Sequence, residues 1–265
     1  MHAHPKRFKL ALEFDGGRYS GWQMQADAKS IQGSLLKAAA ELFGSEVDVQ
    51  GSGRTDTGVH GMRFVAHLEV HTEQTPKEIG AELNALLPKD IAILECKRAG
   101  PRFHARHNCI GRSYLYQIAK RKSALCRDYV WQIPEPLHAG FMQEAATTLV
   151  GMHDFSSFTD RQAIKKKSPL VLVHKAQVAE TDDLILFRIV GSHFLWKMVR
   201  RIVGVLAEVG KGALTVAEVA HFLEEPVELK AYTAPSQGLF FERAFYDQEE
   251  LDTFLASEEL RSPFF

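Results

Sequence analysis

The stretch FVAHLEVHTEQTPKEIGAELNALLPKDIAIL, residues 64–94, decides the fold class. Phe64, Ala66, Leu68 and Val70 alternate with Val65, His67 and Glu69, the period-two pattern of a strand with one face turned inward. On that pattern His67 belongs to the exposed face. Thr75-Pro76-Lys77-Glu78 then reads as a capping box with proline at the first helical position, and Ile79, Leu83, Leu86 and Leu87 form the inward row of the helix. Residues 91–94 return as a strand. Upstream, Phe8, Leu10, Leu12 and Phe14 alternate with Lys9, Ala11 and Glu13, and Asp15-Gly16-Gly17 makes a turn. Ser30 caps a helix carrying Ile31, Leu35, Ala38, Ala39 and Leu42 that stops at Gly44, and a strand follows through Val47 and Val49. The order is strand, helix, strand, strand, helix, strand, which is the split βαβ or ferredoxin-like arrangement.

The second half has a similar outline. Strands are expected at residues 113–118, 172–178 and 184–190, a helix at 137–150, and a long helix at 194–209 with Leu195, Met198, Ile202, Leu206 and Val209 inward. Thr215 and Glu218 cap a further helix, and residues 239–246 supply a late strand. The expected architecture is α+β: two ferredoxin-like (RRM-like) subdomains, residues 1–105 and 106–265, joined into a mixed, mainly antiparallel central sheet flanked by helices.

A chain of 265 residues with 45% apolar and 25% charged side chains has ordinary globular composition, which excludes wholesale disorder and membrane insertion. Cys96, Cys109 and Cys126 form no C-x-x-C pair, against a zinc knuckle or a disulfide scaffold. The N-terminus lacks the apolar stretch of a signal peptide, so a cytoplasmic location is expected. The formal charge of -1 conceals an asymmetry. Residues 97–127 hold nine Lys or Arg and no acid, residues 161–175 hold five more cations, and residues 215–265 hold eleven acids against three bases. A solvated face is the plain alternative for such a run. Phe103, His104, His107, Asn108, Tyr114 and Tyr116 are interleaved with the first cations, a mixture suited to a sugar-phosphate backbone and unstacked bases.

Residues 51–61, GSGRTDTGVHG, pack four glycines and six polar or ionisable side chains into eleven positions between two strands. They can serve as a tight turn alone. Arg54 and Asp56, two apart, point to the same side of an extended backbone, where an arginine favours the ionised carboxylate. An ionised carboxylate in a partly dry, glycine-lined bend can act as nucleophile or base on an electrophilic carbon. Other motifs fail. The glycines do not follow the dinucleotide fingerprint, residues 204–212 only mimic a phosphate loop, and His67-Leu68-Glu69 lacks the P-C-x-x-C half of a nucleic-acid deaminase. Neither a nucleotide cofactor nor a metal is indicated.

Eight motifs in order give the chain a resemblance to the tRNA pseudouridine synthase I (TruA) family over nearly its whole length. They are Phe14-Asp15-Gly16 with Tyr19-Ser20-Gly21-Trp22-Gln23, the GRTDTGVHG loop, Leu83-Asn84 with Leu87-Pro88-Lys89-Asp90-Ile91, Phe103-His104-Ala105-Arg106, and Arg112-Ser113-Tyr114-Leu115-Tyr116. Gly151-Met152-His153-Asp154-Phe155-Ser156-Ser157-Phe158, Phe194-Leu195-Trp196-Lys197-Met198-Val199-Arg200 and Ala234-Pro235-Ser236-Gln237-Gly238-Leu239 complete the set. The resemblance implies that Asp56 is the catalytic aspartate, that Arg54 and Arg200 surround and orient it, and that Tyr114 contacts the target uracil. It further implies a cofactor-free isomerase, a homodimer, and the anticodon stem and loop of tRNA as substrate. Arg106, Arg112, Lys120, Arg121 and Lys122 in the basic stretch are candidate RNA contacts. The arginine common in the family after the proline is absent at Ser168-Pro169-Leu170, with Lys165, Lys166 and Lys167 as candidate substitutes.

Uridine becomes pseudouridine when N1–C1′ breaks, the uracil turns, C5–C1′ forms and the C5 proton leaves. Asp56 can attack C1′ or take the 2′ proton, and the sequence leaves both routes open. Tyr114 can stack on the detached uracil, and its phenol or a water it orders can accept the C5 proton. A base inside a duplex is out of reach, so the target must be splayed from its stack. Two alternatives, a non-catalytic RNA-binding protein of two RRM-like halves and a deaminase, both predict indifference at Asp56.

Overall fold

The computed structural model describes residues 5–44, 47–160 and 168–264. The chain divides into two compact units, Met1–Ile110 with Phe240–Tyr246, and Gly111–Leu239 with Asp247–Phe265. It is α+β, built on mixed, mainly antiparallel sheet flanked by helices.

The first unit contains β1 (Lys6–Phe14), α1 (Ile31–Phe43), β2 (Asp48–Gly51), β3 (His60–Val70), α2 (Pro76–Leu86), β4 (Ile91–Ala99) and, from the far end of the chain, β10 (Leu239–Phe245). This is the βαββαβ order read from the sequence. β3 is the hub: β1 runs antiparallel along it, β2 pairs with its second half, and β10 lies parallel to its start, where Phe240 and Phe241 meet His60 and Gly61. β4 pairs antiparallel with β1. The helix ends follow the expected chemistry. Ser30 Oγ accepts the Gly33 N–H at 3.2 Å, Gly44 closes α1 at φ 60°, and Thr75 and Glu78 form the reciprocal capping box. Phe8, Leu10, Leu12, Phe64 and Leu68 of the sheet are buried, as are Ile31, Leu35, Ile79 and Leu83 of the helices.

Two sequence expectations change here. β3 begins at His60, four residues before the alternation becomes visible, so it grows directly out of the glycine-rich loop. His67 is not on an exposed face: it is 1% exposed. Alternation assigns faces but cannot show that a distant turn, at residues 103–106, covers the polar one.

The second unit contains β5 (Gly111–Ala119), β6 (Trp131–Gln132), α3 (Ala139–Thr148), β7 (Gly151–Asp154), β8 (Leu170–Glu180), β9 (Leu184–Gly191), α4 (Met198–Gly210), α5 (Val216–Glu224) and α6 (Gln248–Ala256). Its sheet runs β5-β9-β8-β7, antiparallel throughout, with β6 parallel to β5. Every residue of β5 and β9 is buried, whereas β7 is a short edge strand. The long helix starts at Met198, not at residue 194. Lys197 takes a left-handed conformation, φ 59°, which a non-glycine residue adopts rarely, and so holds Phe194, Leu195 and Trp196 out of the helix.

Candidate active site

The loop at residues 51–61 is shaped by the segment at residues 14–23, which packs on it. Trp22 N–H donates to the Thr55 carbonyl at 3.2 Å, Gly58 N–H to the Tyr19 carbonyl at 3.3 Å, and Gly16 N–H to His60 Nδ1 at 3.1 Å. Close approach needs glycine at two places. A Cβ on Gly16 would lie 1.9 Å from the Val59 carbonyl oxygen, and one on Gly21, itself at φ 89°, would lie 2.2 Å from that of Thr55. The segment is anchored in turn: Tyr19 hydroxyl donates to Asp90 Oδ1 at 2.5 Å, and Asp15 N–H donates to the Asp90 carbonyl at 2.9 Å. Burial first, and then the Asp90 carboxylate, push the Tyr19 phenol far above its ordinary range, so it stays a donor.

Asp56 follows buried Thr55 and is half-buried, and its carbonyl accepts the Val59 N–H at 3.2 Å to close a turn. Arg54 is exposed. Arg54 Nε donates to Gln23 Oε1 at 3.1 Å. The bend can therefore offer one half-buried carboxylate to a reacting carbon, and the 14–23 segment steadies the guanidinium of Arg54.

The second unit holds Tyr114, Arg112 and Arg200. Tyr114, on β5, is 8% exposed and meets Phe194 edge-on at 5.1 Å between ring centroids. Arg112 is buried, with Nη1 on the Ser192 carbonyl at 2.8 Å. Arg200, in the first turn of α4, donates through Nε to the Ala234 carbonyl at 2.7 Å while its own carbonyl accepts the Ala234 N–H. Tyr116 hydroxyl reaches the Pro235 carbonyl at 2.8 Å. Three of the quoted motifs, at residues 112–116, 194–200 and 234–239, thus come together within this unit.

The basic residues fall in both units. Lys120 pairs with Glu180 at 2.8 Å and Arg121 with Asp183 at 2.6 Å, whereas Lys122 is exposed. A run without acids in sequence is partly neutralised in space by the β8–β9 connection. Arg106 is exposed in the first unit. Lys165, Lys166 and Lys167 lie outside the described residues. Among the described residues, no group of three or more His, Cys, Asp or Glu side chains could hold a metal ion, and no helix is long and apolar enough to cross a membrane.

Residue-type reasoning did not foresee the supporting roles of Gln23, Asp90 and His67. The signal for the first two lay in the motifs that contain them; for His67 it was absent.

The chain matches the model of a family described as tRNA pseudouridine synthase over residues 10–108 and 145–247. It is 39% identical over 244 residues to tRNA pseudouridine synthase A of Zymomonas mobilis, covering 91% of this chain and 99% of the relative. The enzyme of the same name from Hyphomonas neptunium is 38% identical over 243 residues, covering 91% and 98%. That of Clostridium acetobutylicum is 35% identical over 244 residues, covering 91% and 100%.

Proposed function

The chain belongs to the tRNA pseudouridine synthase family, and on that premise we propose that it isomerises uridine to pseudouridine in tRNA with Asp56 as the reacting carboxylate. The observation that carries the assignment is the half-buried Asp56 at the head of a turn that backbone hydrogen bonds and two close-approach glycines hold in one shape. A preformed carboxylate needs no reorganisation when the ribose arrives. The reaction is redox-neutral and transfers no group to or from the protein. The C1′–N1 bond breaks, C1′–C5 forms, N1 gains a proton and C5 loses one. Asp56 either attacks C1′ or removes the 2′ proton.

In this reading Arg54 and Arg200 orient the carboxylate and the ribose-phosphate, and Tyr114 contacts the uracil. Both arginines are already held through Nε, Arg54 by Gln23 and Arg200 by Ala234, which fixes the direction of each guanidinium. The substrate region is the anticodon arm, reached with the target nucleotide extruded, and Arg106, Arg112, Lys120, Arg121 and Lys122 are its candidate contacts. Arg112 fits an ordering role better than an open phosphate contact, since it is buried on Ser192. The protein works as a cytoplasmic homodimer, which light scattering on the purified protein tests directly.

Asp56→Asn keeps size and polarity and removes the charge. It is expected to bind tRNA as the parent does and to release no tritium from C5-labelled uridine in tRNA. Turnover by this variant at the parental rate would overturn the assignment and favour a role for the loop in RNA binding alone.

A further inference from the structure

In the first unit, the turn at residues 100–108 is fastened through the backbone N–H of each residue from 103 to 108. Ala105 N–H donates to Nδ1 of buried His67 at 3.1 Å, and the Ala105 carbonyl accepts from Tyr246 hydroxyl at 2.6 Å. The Phe103 carbonyl accepts from Arg7 Nη1 at 2.8 Å, and Phe103 N–H reaches the Gly100 carbonyl at 2.9 Å. Asn108 closes the loop from both ends: its Oδ1 accepts the His104 N–H at 2.6 Å and its N–H donates to the His104 carbonyl at 3.0 Å. His104 Nδ1 accepts two further backbone donors, Arg106 N–H at 3.1 Å and His107 N–H at 3.3 Å.

A ring nitrogen that accepts an N–H carries no proton, so both imidazoles serve the turn in the tautomer protonated at Nε2. The surroundings suit that form. His104 Nε2 lies 3.1 Å from Gln50 Oε1, and His67 Nε2 lies 3.8 Å from Asp48 Oδ2. Arg102 and Arg106 are exposed on the outer surface of the turn. The side chain of Lys9 sits over the Tyr246 ring at 4.2 Å and the Phe103 ring at 5.7 Å. A turn tied at this many points opens less readily than a connection left to solvent. Guanidinium groups held on a fixed frame are a common means of gripping phosphate.

We propose that His104 and His67 are positioning residues of a phosphate-binding turn, holding the backbone at residues 100–108 so that Arg102 and Arg106 grip the sugar-phosphate chain of the RNA substrate. The inference rests on the tRNA reading above and adds to it the residues that build one of its grips. Neither imidazole touches the reacting nucleotide; both act through the arginines.

An asparagine at position 104 places an oxygen near where Nδ1 of histidine sits and can accept the same two N–H groups, whereas alanine cannot. Using full-length protein and unmodified tRNA, His104→Ala is expected to raise KM about tenfold, the effect of losing one to two hydrogen bonds' worth of order, with kcat unchanged. Its tRNA binding should depend less on salt, the slope falling by roughly 0.7 for each phosphate that the arginines no longer neutralise. His104→Asn should restore both. Arg106→Gln leaves every backbone fastening in place and should reproduce the alanine phenotype, which separates a weakened grip from a failure to fold. Parental KM and salt slope in His104→Ala, or an asparagine variant as weak as the alanine one, would overturn the proposal. If the parent itself releases no C5 tritium from tRNA, the functional reading fails; if the parent is active and these variants match it, only the role of the turn fails.

Discussion

The Tyr19 hydroxyl does at the scale of one residue what the family motifs do together: it ties the segment carrying the Thr55 and Gly58 contacts to Asp90. Lys29 Nζ sits 4.2 Å over the same ring and 3.6 Å from the Asp90 carboxylate, so the phenol, the ammonium and the carboxylate form one cluster. Tyr19→Phe removes the donor and leaves a partly buried carboxylate short of a partner. A hydrogen bond to a charged group contributes about 1.5 to 3 kcal/mol, and a loss of that size is expected in urea denaturation. Because Gly58 hangs on the Tyr19 carbonyl, kcat should fall too; an unaltered midpoint and rate would mean that Asp90 finds another donor at no loss. At this scale the sequence disclosed the bend that carries the proposed site but only some of its bonds. Glycine density marked the bend around Asp56. The partner of Arg54 was not legible, because Gln23 lies 31 positions upstream and only the folded segment brings it near.

Most elements were legible because each carries a local cause. Thr75 and Glu78 cap α2, Thr215 and Glu218 cap α5, and Ser30 with Gly44 delimits α1. The exceptions have physical reasons. α4 starts late because Lys197 adopts a left-handed conformation that periodicity does not encode. α6 went unread although Asp247 caps it by accepting the Glu250 N–H, because Leu251 is its one buried side chain and so gives no apolar row. β7, four residues at a sheet edge, is too short to show alternation. The charge run has partners that the sequence does not show, since Glu180 at the end of β8 and Asp183 after it pair with Lys120 and Arg121. Replacing both acids, Glu180→Gln with Asp183→Asn, frees two cations at an exposed position where ion pairs add little to folding. If these cations face RNA, tRNA binding should tighten at low salt and its salt slope should steepen by roughly 0.7 to 0.9 for each cation engaged. An unchanged slope would assign Lys120 and Arg121 to the hairpin rather than to substrate.

Across the whole molecule, three described histidines are held below their ordinary titration range. His67 is pushed down to about 4, by burial first and then by His104 and Arg7. His104 is lowered by burial and by His107 and Arg7, and His174, in the second unit, by burial. The sign of the consequence is fixed by linkage. In the unfolded chain each imidazole takes up a proton as the pH falls through about 6.5, whereas the native state resists until lower pH, so protons favour unfolding over that interval. The stabilisation is complete above pH 6.5 and is lost progressively toward the native value. Glu73, Glu78, Glu95, Glu218 and Asp183 have lowered carboxyl values and contribute in the same direction, but their share is lost only as the pH falls below the ordinary carboxylate range. Between pH 7 and pH 5 the histidines therefore dominate, and His67 alone should account for roughly 2 kcal/mol of lost stability. His67→Asn keeps an acceptor for the Ala105 N–H and cannot titrate. Urea denaturation from pH 7.5 to pH 5 is expected to give a steep loss for the parent and a distinctly shallower one for the asparagine variant. Parallel curves would show that native His67 takes up its proton over the same range as in the unfolded chain, and so would overturn its role as acceptor for the Ala105 N–H.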